Sequence, residues 1–103
     1  MQITRRQQEI LDLLQEECGE VIQQVSKIRR FGPDFDCRNK GETCLSLFQT
    51  EVFDALFFID LLAEEGLIKL QDYDIHAKAK RERLEQWSDL YVNNSHRWKD
   101  TTC

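Results

Sequence analysis

A chain of 103 residues, 41% hydrophobic and 32% charged, has room for one modest core, and its single Pro and four Gly argue against a turn-rich all-β fold. The formal net charge of −5 is the wrong sign for a protein that grips DNA or RNA. Residues 1–10 are too polar for a signal sequence, and the longest apolar run, residues 55–59, is far too short to span a bilayer, so neither a nucleic-acid polymer nor a membrane is an expected partner.

In chain order, Thr4 followed by Gln7 has the form of a capping box, which predicts a helix from near Arg5 to about Arg30. Arg29 and Arg30 suit the negative end of its dipole, and Gly32 and Pro33 then stop it. At about 100° per residue, Ile10, Leu14, Cys18, Val21, Val25 and Ile28 share one face. Glu17 projects inside that arc and Glu20 lies at its edge, while Glu16 points further toward solvent. A carboxylate aimed into a core is costly unless it is paired or coordinates a metal. Gly19, roughly 1 kcal/mol worse than Ala in mid-helix, reads either as tolerated or as the close approach of another helix.

Residues 34–43 form a polar loop carrying Arg38, Asn39 and Lys40, either a solvated connection or a flap over an anionic ligand. A second helix is expected over about Leu45 to Glu65, ended by Gly66, with a short break near Gln49 and Thr50 as a variant. It is apolar nearly all round, the pattern of a central helix covered by neighbours or by another subunit. Within it Glu51 and Asp54 stand one turn apart and point the same way, whereas Asp60 points elsewhere. After Gly66, Asp72 or Asp74 is expected to cap a last helix bearing Lys78, Lys80, Arg81 and Arg83. Leu84, Trp87, Leu90 and Tyr91 follow at helical spacing, a stripe for the core or a subunit contact. The tail from Val92 is polar apart from Trp98 and is expected to be only partly ordered. The expected fold is all-α, an antiparallel bundle of about four helices in one domain over residues 1–103, assembling as a dimer or tetramer.

Cys18, Cys37, Cys44 and Cys103 lack C-x-x-C spacing, which reads as reduced thiols in a cytoplasmic protein, with a disulfide or zinc site on Cys37 and Cys44 as the alternative.

Two acidic pairs stand on two helices: Glu17 with Glu20, and Glu51 with Asp54. Packed antiparallel, the helices bring four carboxylates together, and two such charges at about 4 Å repel by about 4 kcal/mol at an effective dielectric near 20. Setting those four aside leaves 15 acids against 14 bases, so the acidity of the chain is concentrated in one site. Either pair alone would read as a solvated helix face; both lie among apolar residues. An all-oxygen set without His or Cys selects Mg²⁺, or Mn²⁺, over Zn²⁺. Such ions await substrate phosphates, so the expected chemistry is metal-assisted hydrolysis, with Glu16 and Glu20 as candidate general bases. Lys27, two turns beyond Glu20, and Lys78 and Arg81 on the last helix are candidate phosphate contacts, against the plainer reading of surface bases.

Glu-Glu-x-x-Glu at Glu16, Glu17 and Glu20, then Glu-x-x-Asp at Glu51 and Asp54 on a later apolar helix, resembles the all-α nucleoside triphosphate pyrophosphohydrolases: the MazG-like enzymes, dimeric dUTPases and phosphoribosyl-ATP pyrophosphohydrolases. The run from Glu16 to Gln24, with Ser26-Lys27 and Arg30-Phe31-Gly32, is similar to small stand-alone MazG-like proteins, phage-encoded ones included. The likeness covers roughly residues 9–68. It implies Mg²⁺-dependent cleavage of a (deoxy)nucleoside triphosphate to monophosphate and pyrophosphate, in nucleotide-pool sanitation. It places Glu17, Glu20, Glu51 and Asp54 at metal-ligand positions and implies a dimer or tetramer. A non-catalytic nucleotide-binding module and a phosphoribosyl-ATP pyrophosphohydrolase are the alternatives.

Overall fold

A computed structural model describes residues 1–36 and 40–91. The described chain is all-α, with three helices: α1 (Arg5–Phe31), α2 (Cys44–Glu64) and α3 (Tyr73–Trp87). Single 3₁₀ turns lie at Leu70–Asp72 and Asp89–Tyr91. It falls into two compact units, Met1–Ile68 and Lys69–Cys103.

The first unit is a helical hairpin. At its start the Thr4 hydroxyl accepts from the Gln7 N–H at 3.0 Å, and the Gln7 side chain accepts from the Thr4 N–H at 2.9 Å, so the capping box is complete. At the other end of α1, Gly32 adopts φ 92°, a conformation L side chains rarely take, and its N–H closes on the Ile28 carbonyl at 2.8 Å.

The connection to α2 is fastened by its own polar groups. The Asp36 carboxylate accepts from the N–H groups of Lys40, at 3.1 Å, and Gly41, at 2.8 Å. Asp36 and Thr43 form an isolated bridge, and the Phe35 and Phe31 rings stack at 5.0 Å. Thr43 caps α2 by accepting from Ser46 N–H at 3.1 Å. Arg38 and Asn39, the middle of the expected flap, lie outside the described residues. α2 then runs unbroken through Gln49 and Thr50. The Thr50 hydroxyl donates back to the Ser46 carbonyl at 3.2 Å, spending its polarity inside the helix instead of breaking it.

The two helices are antiparallel: Arg6, at the start of α1, pairs with Glu65, just past the end of α2, at 3.1 Å. Ile10 of α1 and Cys44, Leu47, Ala55 and Leu62 of α2 are the buried apolar residues of the described chain. The buried side of α1 is turned from the arc expected of it. Cys18 and Val25 are exposed, Ile22 more so, and the buried positions are Ile10 and Gln24. One neighbouring helix covers only a narrow stripe, so the flank of the arc stays bare. On α2, Phe53, Leu56 and Phe57 are likewise exposed. An ideal Cβ at Gly19 would meet nothing within 4 Å, so close approach does not explain that glycine among the described residues.

Cys44, expected as a thiol, is disulfide-bonded; Cys37 and Cys103 lie outside the described residues, and Cys18 is free and exposed. No described helix is long and apolar enough to cross a membrane.

In the second unit, Asp72 occupies the N-cap position of α3 but makes no side-chain cap. The expected last helix is shorter than its apolar stripe. α3 ends at Trp87 because Ser88 turns to extended backbone and its hydroxyl accepts from the Leu90 N–H at 3.2 Å, so Leu90 and Tyr91 fall in the following 3₁₀ turn. Leu84 is half-buried, while Trp87, Leu90 and Tyr91 are exposed. Of the tail, only what precedes Val92 is described.

Candidate metal centre

Glu17 stands in the middle of α1, and Glu51 and Asp54 are one turn apart on α2. The antiparallel pairing that joins Arg6 to Glu65 also brings these three acids together, as their positions along the two helices require. One carboxylate oxygen from each of the three lies within 4.8 Å of the others. Glu17 and Glu51 are half-buried and Asp54 is exposed, so the cluster opens outward from the seam between the helices.

The electrostatics follow from that convergence. The Glu17 carboxyl is held above its ordinary value, first by burial and then by the charge of Asp54. Its hydrogen bond with the Glu51 side chain and the charges of Glu51 and Glu16 push it the same way. A hydrogen bond between two carboxyl groups requires a proton on one of them. A divalent cation would do that proton's work with more charge, and hard oxygen ligands without nitrogen or sulfur are the set that Mg²⁺ and Mn²⁺ take. The donor set therefore fits a hard cation.

Glu20, half-buried one turn beyond Glu17, lies outside the triple. Glu16 is exposed beside Glu17, near enough for its charge to be felt there. Lys27 is half-buried further along α1. Lys78 and Arg81 stand on α3 in the second unit, where the Arg81 guanidinium lies 4.7 Å over the Tyr91 ring and 3.7 Å from Glu85.

The sequence reading missed Gln24. It is 1% exposed, and its side-chain oxygen has no hydrogen-bond partner. Its place seven residues after Glu17, hence on the same helix face, is the signal that could have found it. On the flank of the hairpin an apolar groove of about 350 Å³ is lined by Val21 and Ile22 of α1 and Val52, Ala55, Leu56 and Ile59 of α2.

Comparisons with protein-family models, with curated proteins and with solved structures yield no match for this chain.

Proposed function

We propose that this protein is a Mg²⁺-dependent hydrolase that cleaves a nucleoside triphosphate to the monophosphate and pyrophosphate. The observation that carries the reading is the meeting of Glu17, Glu51 and Asp54 from two helices at one point. A repulsive cluster of this kind within a small hairpin is what a cation site requires and what a solvated helix face does not. The sequence likeness of Glu16-Glu17-x-x-Glu20 and Glu51-x-x-Asp54 to nucleotide pyrophosphohydrolases supports the choice of substrate.

In this reading Glu17, Glu51 and Asp54 hold the cation, with Glu20 one turn away to complete the set. Bound there, Mg²⁺ supplies neutralisation of phosphate charge and acidifies water. Glu20 or Glu16 accepts the proton of the attacking water. Water adds to phosphorus, the P–O bond to the departing pyrophosphate breaks, and that group leaves with the bonding electron pair. Lys27 offers its ammonium to phosphate oxygens from the same face of α1.

The exposed Phe53, Leu56 and Phe57 of α2 and Ile22 of α1 support the second part of the proposal. Two hairpins that bury these side chains against each other make the four-helix bundle, as a dimer or as half of a tetramer.

The test is a panel of deoxynucleoside and nucleoside triphosphates, with phosphoribosyl-ATP added, incubated with Mg²⁺ and resolved by ion exchange. Monophosphate and pyrophosphate are the expected products. Diphosphate and orthophosphate would refute the reaction, and tight Mg²⁺–nucleotide binding without turnover would make the protein a binding module.

A further inference from the structure

In the second unit, α3 and the 3₁₀ turn after it form an open hollow of about 240 Å³. Ser88 leaves the helix in extended backbone, its N–H closing on the Leu84 carbonyl at 2.8 Å and its hydroxyl accepting from the Leu90 N–H at 3.2 Å. That turn brings the Tyr91 ring back beside α3, where the Arg81 guanidinium lies 4.7 Å over it. Along the helix Tyr73, Ala77, Lys80 and Leu84 follow at three- and four-residue spacing, so they share one face. With only a methyl at Ala77 among larger neighbours, that face is dished instead of filled.

The chain carries a net charge of −5, yet the hollow is lined by His76, Lys80 and Arg81 and by no acid. Among the described residues Lys80 has no ion-pair partner. Glu85 approaches Arg81 only at Nε, and at 3.7 Å it is beyond hydrogen-bonding reach. The two terminal nitrogens of the guanidinium are left over, the fork that matches a phosphate or carboxylate. Stacking on Tyr91 braces that fork, so less freedom is lost when it takes up a ligand. Tyr73, 63% exposed, leaves a bare ring face at the rim.

Charge and size narrow the ligand. Lys80 and Arg81 together suit a phosphate monoester, which carries about −1.5 to −2 near neutral pH, better than a singly charged carboxylate. A bare aromatic face beside them suits a base, which stacks on aromatic side chains whatever its identity. The hollow is smaller than the usual ligand pocket of about 300–1,000 Å³, so it has no room for a long polyphosphate or a peptide. We propose that it binds a nucleoside monophosphate, with the phosphate against Lys80 and Arg81 and the base on the Tyr73 ring over Ala77. The hollow and the acid triple belong to different units, and the inference does not rest on the metal reading.

The test is isothermal titration calorimetry of the full chain with AMP in chelator at low salt, where neither a bound metal nor turnover contributes. AMP is expected to bind, and adenosine, inorganic phosphate and benzoate each to bind weaker by about tenfold or more. Lys80→Gln and Tyr73→Ala, both at exposed positions, are each expected to weaken AMP binding by about tenfold or more. Ala77→Met, which fills the hollow and changes no charge, is expected to abolish it. Arg83→Gln, on the same helix but outside the hollow, also removes one positive charge and is expected to leave the affinity unchanged. Circular dichroism checks that each variant keeps the parent helicity; if Ala77→Met loses it, the two exposed variants carry the test. Absence of AMP binding overturns the proposal. So does adenosine, phosphate or benzoate binding as tightly as AMP, equal loss in Lys80→Gln and Arg83→Gln, or full affinity in a folded Ala77→Met. None of these outcomes touches the Mg²⁺-dependent reaction, which its own product assay decides.

Discussion

Glu17 of α1 and Glu51 of α2 face one another across the helical hairpin, and with Asp54, one turn along from Glu51, they bring three carboxylate oxygens within 4.8 Å of one another. Each acid taken alone is an ordinary helical residue. Their meeting turns three unremarkable positions into a candidate site.

Removing one acid should separate function from stability. Glu51→Gln and Asp54→Asn are each expected to lower turnover on the order of a hundredfold or more, as losses of charge stabilisation in a site do. The ion-free proteins should melt at or above the parent temperature, because one repulsive charge is gone. Steady-state kinetics and calorimetry in chelator check the two halves; full activity in Glu51→Gln would remove Glu51 from the site.

The raised Glu17 carboxyl sets the sign of a pH effect. The folded protein holds this proton more tightly than the unfolded chain. Its contribution to stability is therefore complete below the ordinary value of 4.5 and is lost as pH rises through the raised folded value. In chelator, the melting temperature of the parent relative to Glu17→Gln should fall as pH climbs through that window. Mn²⁺ affinity should rise over the same window, since the ion and the proton compete for one carboxylate. A difference between parent and variant that is flat with pH would contradict the assignment.

Phe53 and Phe57, 58% and 59% exposed on the outer side of α2, are expected to be covered by a second copy. Light scattering should give a multiple of 12.3 kDa for the parent. Phe57→Asp or Leu56→Asp should move the mass toward the single chain and remove the dependence of the melting temperature on protein concentration that an oligomeric parent shows. A monomeric parent would end this part of the proposal.

The ends of α1 make a simpler pair of stability tests. Thr4→Ala removes half of the capping box and should cost about 1 kcal/mol in urea denaturation. Gly32→Ala forces a side chain into φ 92° and should cost about 1–2 kcal/mol, although an added Cβ has open space around it.

Where local chemistry decides the outcome, the residues could be read directly. Thr4 with Gln7 begins α1 and Gly32 ends it, because caps depend on neighbours in sequence. Glu51 and Asp54 were legible as a pair for the same reason, one turn being a local distance. The facing of one helix by another is not local. Periodicity drew an apolar arc on α1 that included Cys18 and Val25, but a single neighbour covers a narrower stripe and leaves both exposed. The buried Gln24 was hidden by its polarity, which speaks for a surface position. The disulfide at Cys44 stood only as the alternative to reduced thiols, because spacing carries no information on which thiols meet in space. Ser88 ended α3 early by a hydroxyl bond that helical spacing at Leu90 and Tyr91 does not register.

The hairpin is fastened at both ends, by the Asp36 carboxylate in the turn and by the Arg6–Glu65 pair at the mouth. That double fastening fixes the axial and rotational phase of α2 against α1. One residue inserted between Thr43 and Glu51 would rotate the rest of α2 by about 100° and set Thr50 and Phe53 where Glu51 and Asp54 now stand. Phase, more than the reach of any side chain, decides whether the acids meet. Variation in length is harmless before Thr4 and ruinous inside α2.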